Sequence, residues 1–150
     1  MQTETIPEEP TNQPVEAKSW EELDFLTKTQ YTLRAQNDPV FFWNNPLMGG
    51  QNLWPVQKDI MSKFYELDEN SQRKYTELII VAGMRSSKTF IAGLISTYET
   101  FRLLSLPDPA KYYQLAPGSE IFVINVATSF EQALDTVFAR CKALSKSNSS

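Results

Sequence analysis

A chain of 150 residues is long enough for one modest domain with a buried core, and 41% of its residues are hydrophobic. Residues 1–70 carry 5 basic and 12 acidic side chains and residues 71–150 carry 9 and 6, so general coating of nucleic acid is excluded while a local phosphate or DNA contact is not. Histidine is absent, which excludes imidazole catalysis and imidazole metal sites, and no apolar run is long enough to span a bilayer.

The first part of the chain predicts a tail and a helix. Residues 1–18 are rich in proline, glutamate and threonine, so we expect a disordered tail. Ser19 followed by Glu22 predicts a capping box at the start of a helix that packs on the core. Residues 37–52 combine prolines, glycines and a Phe-Phe-Trp cluster, and we interpret them as an irregular segment anchored by its aromatic rings.

A second helix is predicted from Pro55, because proline is favoured at the first helical position. Its apolar residues recur at helical spacing as far as residue 67. Gln57 lies in the first turn, where its carboxamide is free to act as a paired donor and acceptor. That geometry reads the N6/N7 edge of adenine; the alternative is a merely solvated amide.

The central stretch, residues 78–104, passes from five apolar residues through a small polar loop into a helical pattern that opens with Lys88 and Thr89. The apolar residues, 78–82, predict a buried strand. A strand, a tight loop, Lys-Thr and a helix are the arrangement of a P-loop, in which backbone N–H groups and the helix N-terminus surround a phosphate. The Lys88 ammonium would reach the outer phosphates and the Thr89 hydroxyl would bind Mg²⁺. The alternative is an ordinary serine-rich turn with a solvated lysine.

The loop departs from the consensus G-x-x-x-x-G-K-[ST], which places glycine where Ala82 and Ser87 stand. The turn would then rely on Gly83, and near-helical dihedral angles at Ser87 would tolerate its side chain. The residues predicted to surround the nucleotide, besides Gln57, are Gly83, Met84, Arg85, Ser86, Ser87, Lys88 and Thr89.

The last part of the chain predicts a second β-α unit. Residues 120–127 are rich in β-branched side chains and predict a buried strand, and Ser129 with Gln132 predicts a capped helix that continues to residue 144. The order β-α-β-α predicts the α/β class, with a P-loop NTPase-type parallel sheet and flanking helices. The sheet is expected to be incomplete, because the chain supplies two β-α units plus the N-terminal helices.

Three segments in this order resemble the large terminase subunits of tailed bacteriophages. They are D-P-V-F-F-W-N-N-P-L with L-W-P-V-Q-K-D-I-M, the loop V-A-G-M-R-S-S-K-T, and L-A-P-G-S-E-I-F-V-I-N-V-A-T-S-F-E-Q-A-L-D-T-V-F. The resemblance covers about residues 38–145 and implies that residues 19–150 are the N-terminal portion of a P-loop ATPase domain. It implies that Gln57 contacts adenine, Lys88 the β/γ-phosphates and Thr89 the Mg²⁺. It also implies that Arg85, the candidate catalytic residue, lies near the γ-phosphate as a phosphate sensor or charge stabiliser, although the family often has that arginine where Met84 stands.

The family resemblance implies an ATP- and Mg²⁺-dependent motor that moves double-stranded DNA into a procapsid. The expected partners are the portal protein, the small terminase subunit and further copies of the chain in a ring, without a membrane, in the cytoplasm of an infected bacterial host. No apolar strand after Thr89 ends in Asp-Glu, so the Walker B carboxylates and the nuclease cluster are missing from this stretch and we expect the chain alone to be inactive. A helicase-type or other P-loop DNA motor fragment and a non-enzymatic docking module are the alternatives.

Overall fold

The computed structural model describes residues 19–83, 87–124, 126, 131 and 138–146. A short 3₁₀ helix (Trp20–Glu22) precedes the α-helices of this part of the chain, which are α1 (Phe25–Asn37), α2 (Pro39–Asn44), α3 (Pro55–Phe64), α4 (Lys88–Leu104), α5 (Pro109–Tyr112) and α6 (Ala139–Lys146). Helix α4 packs against α6, α1 against α2, and α2 against α3.

One aspartate both ends α1 and starts α2. The Asp38 N–H donates to the carbonyl of Arg34 at 3.0 Å, and the Asp38 carboxylate accepts from the N–H of Phe41 at 2.8 Å. Pro39 then occupies the first position of α2, where its missing N–H costs nothing. The segment interpreted as irregular from the sequence therefore begins with a helix, because Asp-Pro is a helix start as well as a turn signal.

Aromatic side chains dominate the core, which is formed mainly by α2, α3 and α4. Its largest fully buried side chains are Trp43, Tyr98, Met61 and Leu94. The Phe42 ring stacks on Phe101 with centroids 4.4 Å apart, and the Tyr65 ring meets Tyr98 edge-on at 4.7 Å. Each such burial stabilises the fold by about 1.5–3 kcal/mol.

The C-terminal end of α4 is fixed to the C-terminal end of α1 by a reciprocal pair of hydrogen bonds. The Arg102 Nε donates to the Gln36 carbonyl at 3.1 Å, and the Gln36 Nε2 donates to the Ser105 carbonyl at 3.0 Å. Both bonds satisfy carbonyls near helix ends that lack a partner within their own helix. They set the position of α4 relative to α1.

Helix α6 covers the middle of α4. The Cys141 thiol donates to the Gly93 carbonyl at 3.7 Å, and Leu144 is buried in the core cluster. Phe138, which falls within the helix predicted to continue to residue 144, is 55% exposed. The predicted cap at Ser129 and Gln132 lies outside the described residues.

The predicted parallel sheet is wrong. Within the described residues the only β-pairing is an isolated antiparallel bridge between Leu67 and Arg73, and neither residues 78–82 nor residues 120–124 form a ladder. Val81 is 94% exposed and Val126 is 85% exposed, so these side chains lack the cover that a buried strand requires. Apolar composition indicated burial, but a strand exists only through pairing, and the described helices pack on one another instead.

The start of the first helix also differs from the expectation. Ser19 precedes only the 3₁₀ turn and makes no side-chain cap hydrogen bond. The Asp24 carboxylate caps α1 instead, accepting from the Thr27 N–H at 3.2 Å. The predicted disordered tail, residues 1–18, lies outside the described residues, and none of the helices described is long and apolar enough to cross a membrane.

Candidate functional site

The structure brings the two described ends of the candidate loop together through Lys88. The Lys88 Nζ donates to the Ala82 carbonyl at 3.1 Å and to the Gly83 carbonyl at 2.5 Å. Its side chain therefore folds back across the loop, which places a positive charge beside the loop backbone. Met84, Arg85 and Ser86 lie outside the described residues, so their assigned roles stay predictions.

Ser87 adopts a left-handed conformation, with φ 62° and ψ 18°, immediately before α4. The near-helical dihedral angles expected at this position are therefore wrong. Glycine adopts the left-handed region without strain, whereas a residue with a Cβ pays roughly 1–2 kcal/mol. Glycine, the consensus residue at this position, adopts this conformation without strain, and the chain adopts it with serine.

The N-terminus of α4 faces the same loop. The first backbone hydrogen bond of this helix joins the Ile91 N–H to the Ser87 carbonyl at 3.0 Å, so the amides of Lys88 and Thr89 precede it. The seventeen-residue helix places about half a positive charge at this end. Lys88 and Thr89 are both exposed, so an ammonium, a hydroxyl and helix N–H groups are open to an anion from solvent.

Gln57 is buried rather than solvated, with 8% of its surface exposed. Its Oε1 accepts from the N–H of Trp54 at 3.0 Å and so closes the first turn of α3. One lone pair of Oε1 is used by this bond. Lys88 is bonded to the loop, whereas Gln57 is bonded to Trp54 at the start of α3. The distance between the phosphate end and the adenine end of the candidate site is therefore set by the packing of the helices.

Trp54 is a candidate that the sequence reasoning missed. Its amide is held by Gln57, while its side chain is 76% exposed. A large aromatic surface fixed at its backbone but open to solvent is a suitable stacking platform for a base. The signal in the sequence was a tryptophan directly before the helix-starting Pro55, three positions ahead of the glutamine.

A Lys-Thr pair at a helix N-terminus, with the lysine bonded to the carbonyls that precede it, is an arrangement expected in a P-loop domain, a class that generally binds nucleotide and Mg²⁺. The sequence agrees with the geometry: the profile of the family described as "Uncharacterized protein MJ0330, N-terminal P-loop domain" matches residues 10–149. The chain belongs to this family. No curated protein and no solved structure shows significant similarity to it.

Proposed function

We propose that the chain binds ATP with Mg²⁺ at residues 83–89 and serves as the nucleotide-binding front of a DNA-packaging motor of the large terminase type. The observation that carries the nucleotide site is the closure of the loop by Lys88, at the N-terminus of a long helix and next to a left-handed residue. Membership in a P-loop family supports the same site.

In this proposal the phosphates replace the loop carbonyls as partners of Lys88. The ammonium leaves the carbonyls of Ala82 and Gly83 and moves to the β/γ-phosphates, which carry full negative charge and are the stronger acceptors. The amides of the loop and of the first turn of α4 donate to the same phosphates. Thr89 supplies a hydroxyl to Mg²⁺, and Arg85 stabilises charge at the γ-phosphate.

The adenine end of the site uses α3. Gln57 offers Oε1 to the N6 amino group and Nε2 to N7 of the base, and Trp54 offers a ring for stacking. This arrangement selects adenine over guanine, because guanine presents a carbonyl where adenine presents its amino group.

The packaging role rests on the order of three segments along the chain, residues 38–61, 81–89 and 115–138, which resembles that of large terminase subunits. Double-stranded DNA, the portal protein, the small terminase subunit and further copies of the chain in a ring are the proposed partners. The proposed place of action is the cytoplasm of an infected bacterial host.

Isothermal titration calorimetry with Mg²⁺–ATP tests the nucleotide site. Binding by the parent chain should be lost in Lys88→Ala, while the far-ultraviolet circular dichroism stays the same. Lys63→Ala is the matched control, because Lys63 is an exposed lysine that pairs with Asp59 on its own helix. A parent chain that releases no heat, or a Lys88→Ala variant that binds equally well, would overturn the proposal.

The metal assignment has its own test. Thr89→Ser keeps the hydroxyl and should keep the gain in ATP affinity that Mg²⁺ gives, whereas Thr89→Ala should lose it. Equal Mg²⁺ dependence in both variants would show that Thr89 is not a metal ligand.

The packaging role is tested in the genome that encodes the chain. Lys88→Ala in the intact gene should stop DNA entry, so that empty procapsids accumulate while capsid proteins are made normally. DNA-filled particles at normal yield would contradict the packaging role and would leave the nucleotide site to be judged by calorimetry.

A further inference from the structure

The segment that leads to the nucleotide loop begins in a tightly bonded hairpin, residues 66–74. The Asp68 carboxylate accepts from the backbone N–H groups of Asn70 and Gln72, both at 2.9 Å. The Asp68 N–H donates to the Gln72 carbonyl at 2.8 Å, and the Lys74 N–H donates to the Glu66 carbonyl at 3.0 Å. These bonds hold the hairpin in one shape and fix the direction in which the Arg73 side chain points.

Arg73 attaches this hairpin to α4. Its guanidinium pairs with the Glu99 carboxylate, and Arg102 lies 3.6 Å from the other oxygen of the same carboxylate. The guanidinium also lies over the ring of Tyr65, 4.5 Å from its centroid. About three quarters of each side chain of the Arg73–Glu99 pair is buried, so this contact is screened far less than a surface ion pair.

Glu99 belongs to the same helix that begins at Lys88. Eleven residues separate the two, which corresponds to roughly 16 Å along the helix axis. The Glu99 end of α4 is fixed to α1 through Arg102 and Gln36. The chain between residues 74 and 88 is thus anchored on one helix at both ends, at Glu99 through Arg73 and at the start of α4.

Between these anchors the backbone has little support of its own. Residues 75–82 make no backbone–backbone hydrogen bond to another described residue, and Ile79 and Val81 are largely exposed. The position of Ala82 and Gly83, which hold Lys88, therefore depends on where the segment starts. The hydrogen bonds of the hairpin fix the shape of that start, and the Arg73–Glu99 pair fixes its place on α4.

We propose that Arg73 and Glu99 are positioning residues for the nucleotide loop, holding the start of its leading segment on α4 so that the carbonyls of Ala82 and Gly83 stay within reach of Lys88. The inference rests on the proposed nucleotide site but reaches beyond it, to residues that touch no nucleotide. When the pair is broken, the loop samples more conformations, and the fraction competent for binding falls.

Two measurements test the pair. Glu99→Gln and Arg73→Gln should each weaken Mg²⁺–ATP binding by about tenfold, because apparent affinity scales with the competent fraction. The double substitution should weaken it no further. The control is Asp59→Asn with Lys63→Gln, which removes an exposed ion pair within α3. It should change neither the ATP affinity nor the distance distribution of the second measurement.

The second measurement needs no nucleotide. Spin labels at Glu77→Cys and Asn37→Cys, both exposed positions, in a Cys141→Ser background report the distance between the leading segment and α1. Glu99→Gln should broaden this distance distribution in the free protein. If Glu99→Gln unfolds the chain, Arg73→Lys, which keeps the charge but loses the planar fork, should give an intermediate broadening.

The outcomes separate the two proposals. A folded Glu99→Gln variant with the parental distance distribution and parental affinity would overturn the positioning role, even if its melting temperature falls. A parent chain that binds no ATP but whose distance distribution broadens in Glu99→Gln would overturn the nucleotide site and keep the positioning of the segment.

Discussion

The Tyr98 hydroxyl donates a 2.6 Å hydrogen bond to the carbonyl of Ala35, 63 positions earlier in the chain, and both residues are fully buried. This bond satisfies a carbonyl in the last turn of α1 and fixes the middle of α4 against it.

Burial raises the pKa of the Tyr98 phenol above its ordinary value. Burial, reinforced by the neighbouring Glu99 carboxylate, does the same to the pKa of Tyr65, whose ring touches that of Tyr98.

The two raised pKa values predict alkaline destabilisation. Both phenols ionise near pH 10 in the unfolded chain but stay neutral in the folded protein. Their contribution to the free energy of unfolding is therefore complete below about pH 10 and is lost as the pH rises above it. The free energy of unfolding should fall by about 1.4 kcal/mol per pH unit for each tyrosine above that pH. Urea unfolding at several pH values between 8 and 11 measures this slope.

Tyr98→Phe separates the hydrogen bond from the titration. The variant should lose about 1–3 kcal/mol at neutral pH, because the Ala35 carbonyl is left buried without its donor. It should also show a shallower alkaline slope than the parent, since one of the two phenols is gone. An unchanged slope would show that Tyr98 does not titrate on unfolding.

The helices were predictable where the sequence contains their start signals. Pro55 and Lys88 begin α3 and α4 as expected, and α4 ends at Leu104, before Pro107. Strand predictions failed because residues 78–82 and 120–124 show only apolar composition, and pairing depends on distant parts of the chain that local patterns do not encode. The first helix was misplaced because Ser19 and Asp24 are both good cap residues, and only the contacts of the fold decide between them.

The candidate site was predicted in outline. The Lys88-Thr89 pair at a helix start followed from the motif, but the left-handed backbone of Ser87 and the burial of Gln57 did not. The spacing of a motif indicates which residues contact an anion. Dihedral angles and burial depend on the packing of the folded chain, which the motif does not contain. The Arg73–Glu99 pair, 26 positions apart, carried no sequence signal.

A close approach at Gly49 predicts that a larger residue there destabilises the fold. A Cβ there would lie 2.6 Å from both the Cα and the Cε3 of Trp43 and 2.8 Å from the carbonyl oxygen of Phe42, none of which can move without disturbing the core. Gly49→Ala should therefore lower the free energy of unfolding by about 1–3 kcal/mol. Gly83→Ala is the control, because nothing lies within 4 Å of its added Cβ. Equal stability of the two variants in urea would contradict the packing at Trp43.

The left-handed backbone at Ser87 predicts a stabilising substitution. Ser87→Gly should raise the free energy of unfolding by about 1 kcal/mol, because glycine adopts this conformation without the strain of a Cβ. Ser87→Ala should leave it within about 0.5 kcal/mol of the parent, since the serine side chain makes no cap hydrogen bond. ATP affinity should not fall in Ser87→Gly, which restores the consensus residue. A glycine variant less stable than the alanine variant would show that Ser87 is not held in this region in solution.

Substitutions can separate the two roles of Gln57, as a helix cap and as the residue that recognises adenine. Gln57→Ala should lose about 1 kcal/mol of stability, because the Trp54 N–H loses its acceptor, and should also lose the preference for ATP over GTP. Gln57→Glu keeps an acceptor for Trp54 at a helix N-terminus that favours negative charge, so its loss of stability should be smaller. It lacks the amide donor for N7, which adenine and guanine share, so it should bind both nucleotides more weakly and keep the preference for ATP. A Gln57→Ala variant that still prefers ATP would limit Gln57 to its role as a cap and would assign base selection to another residue.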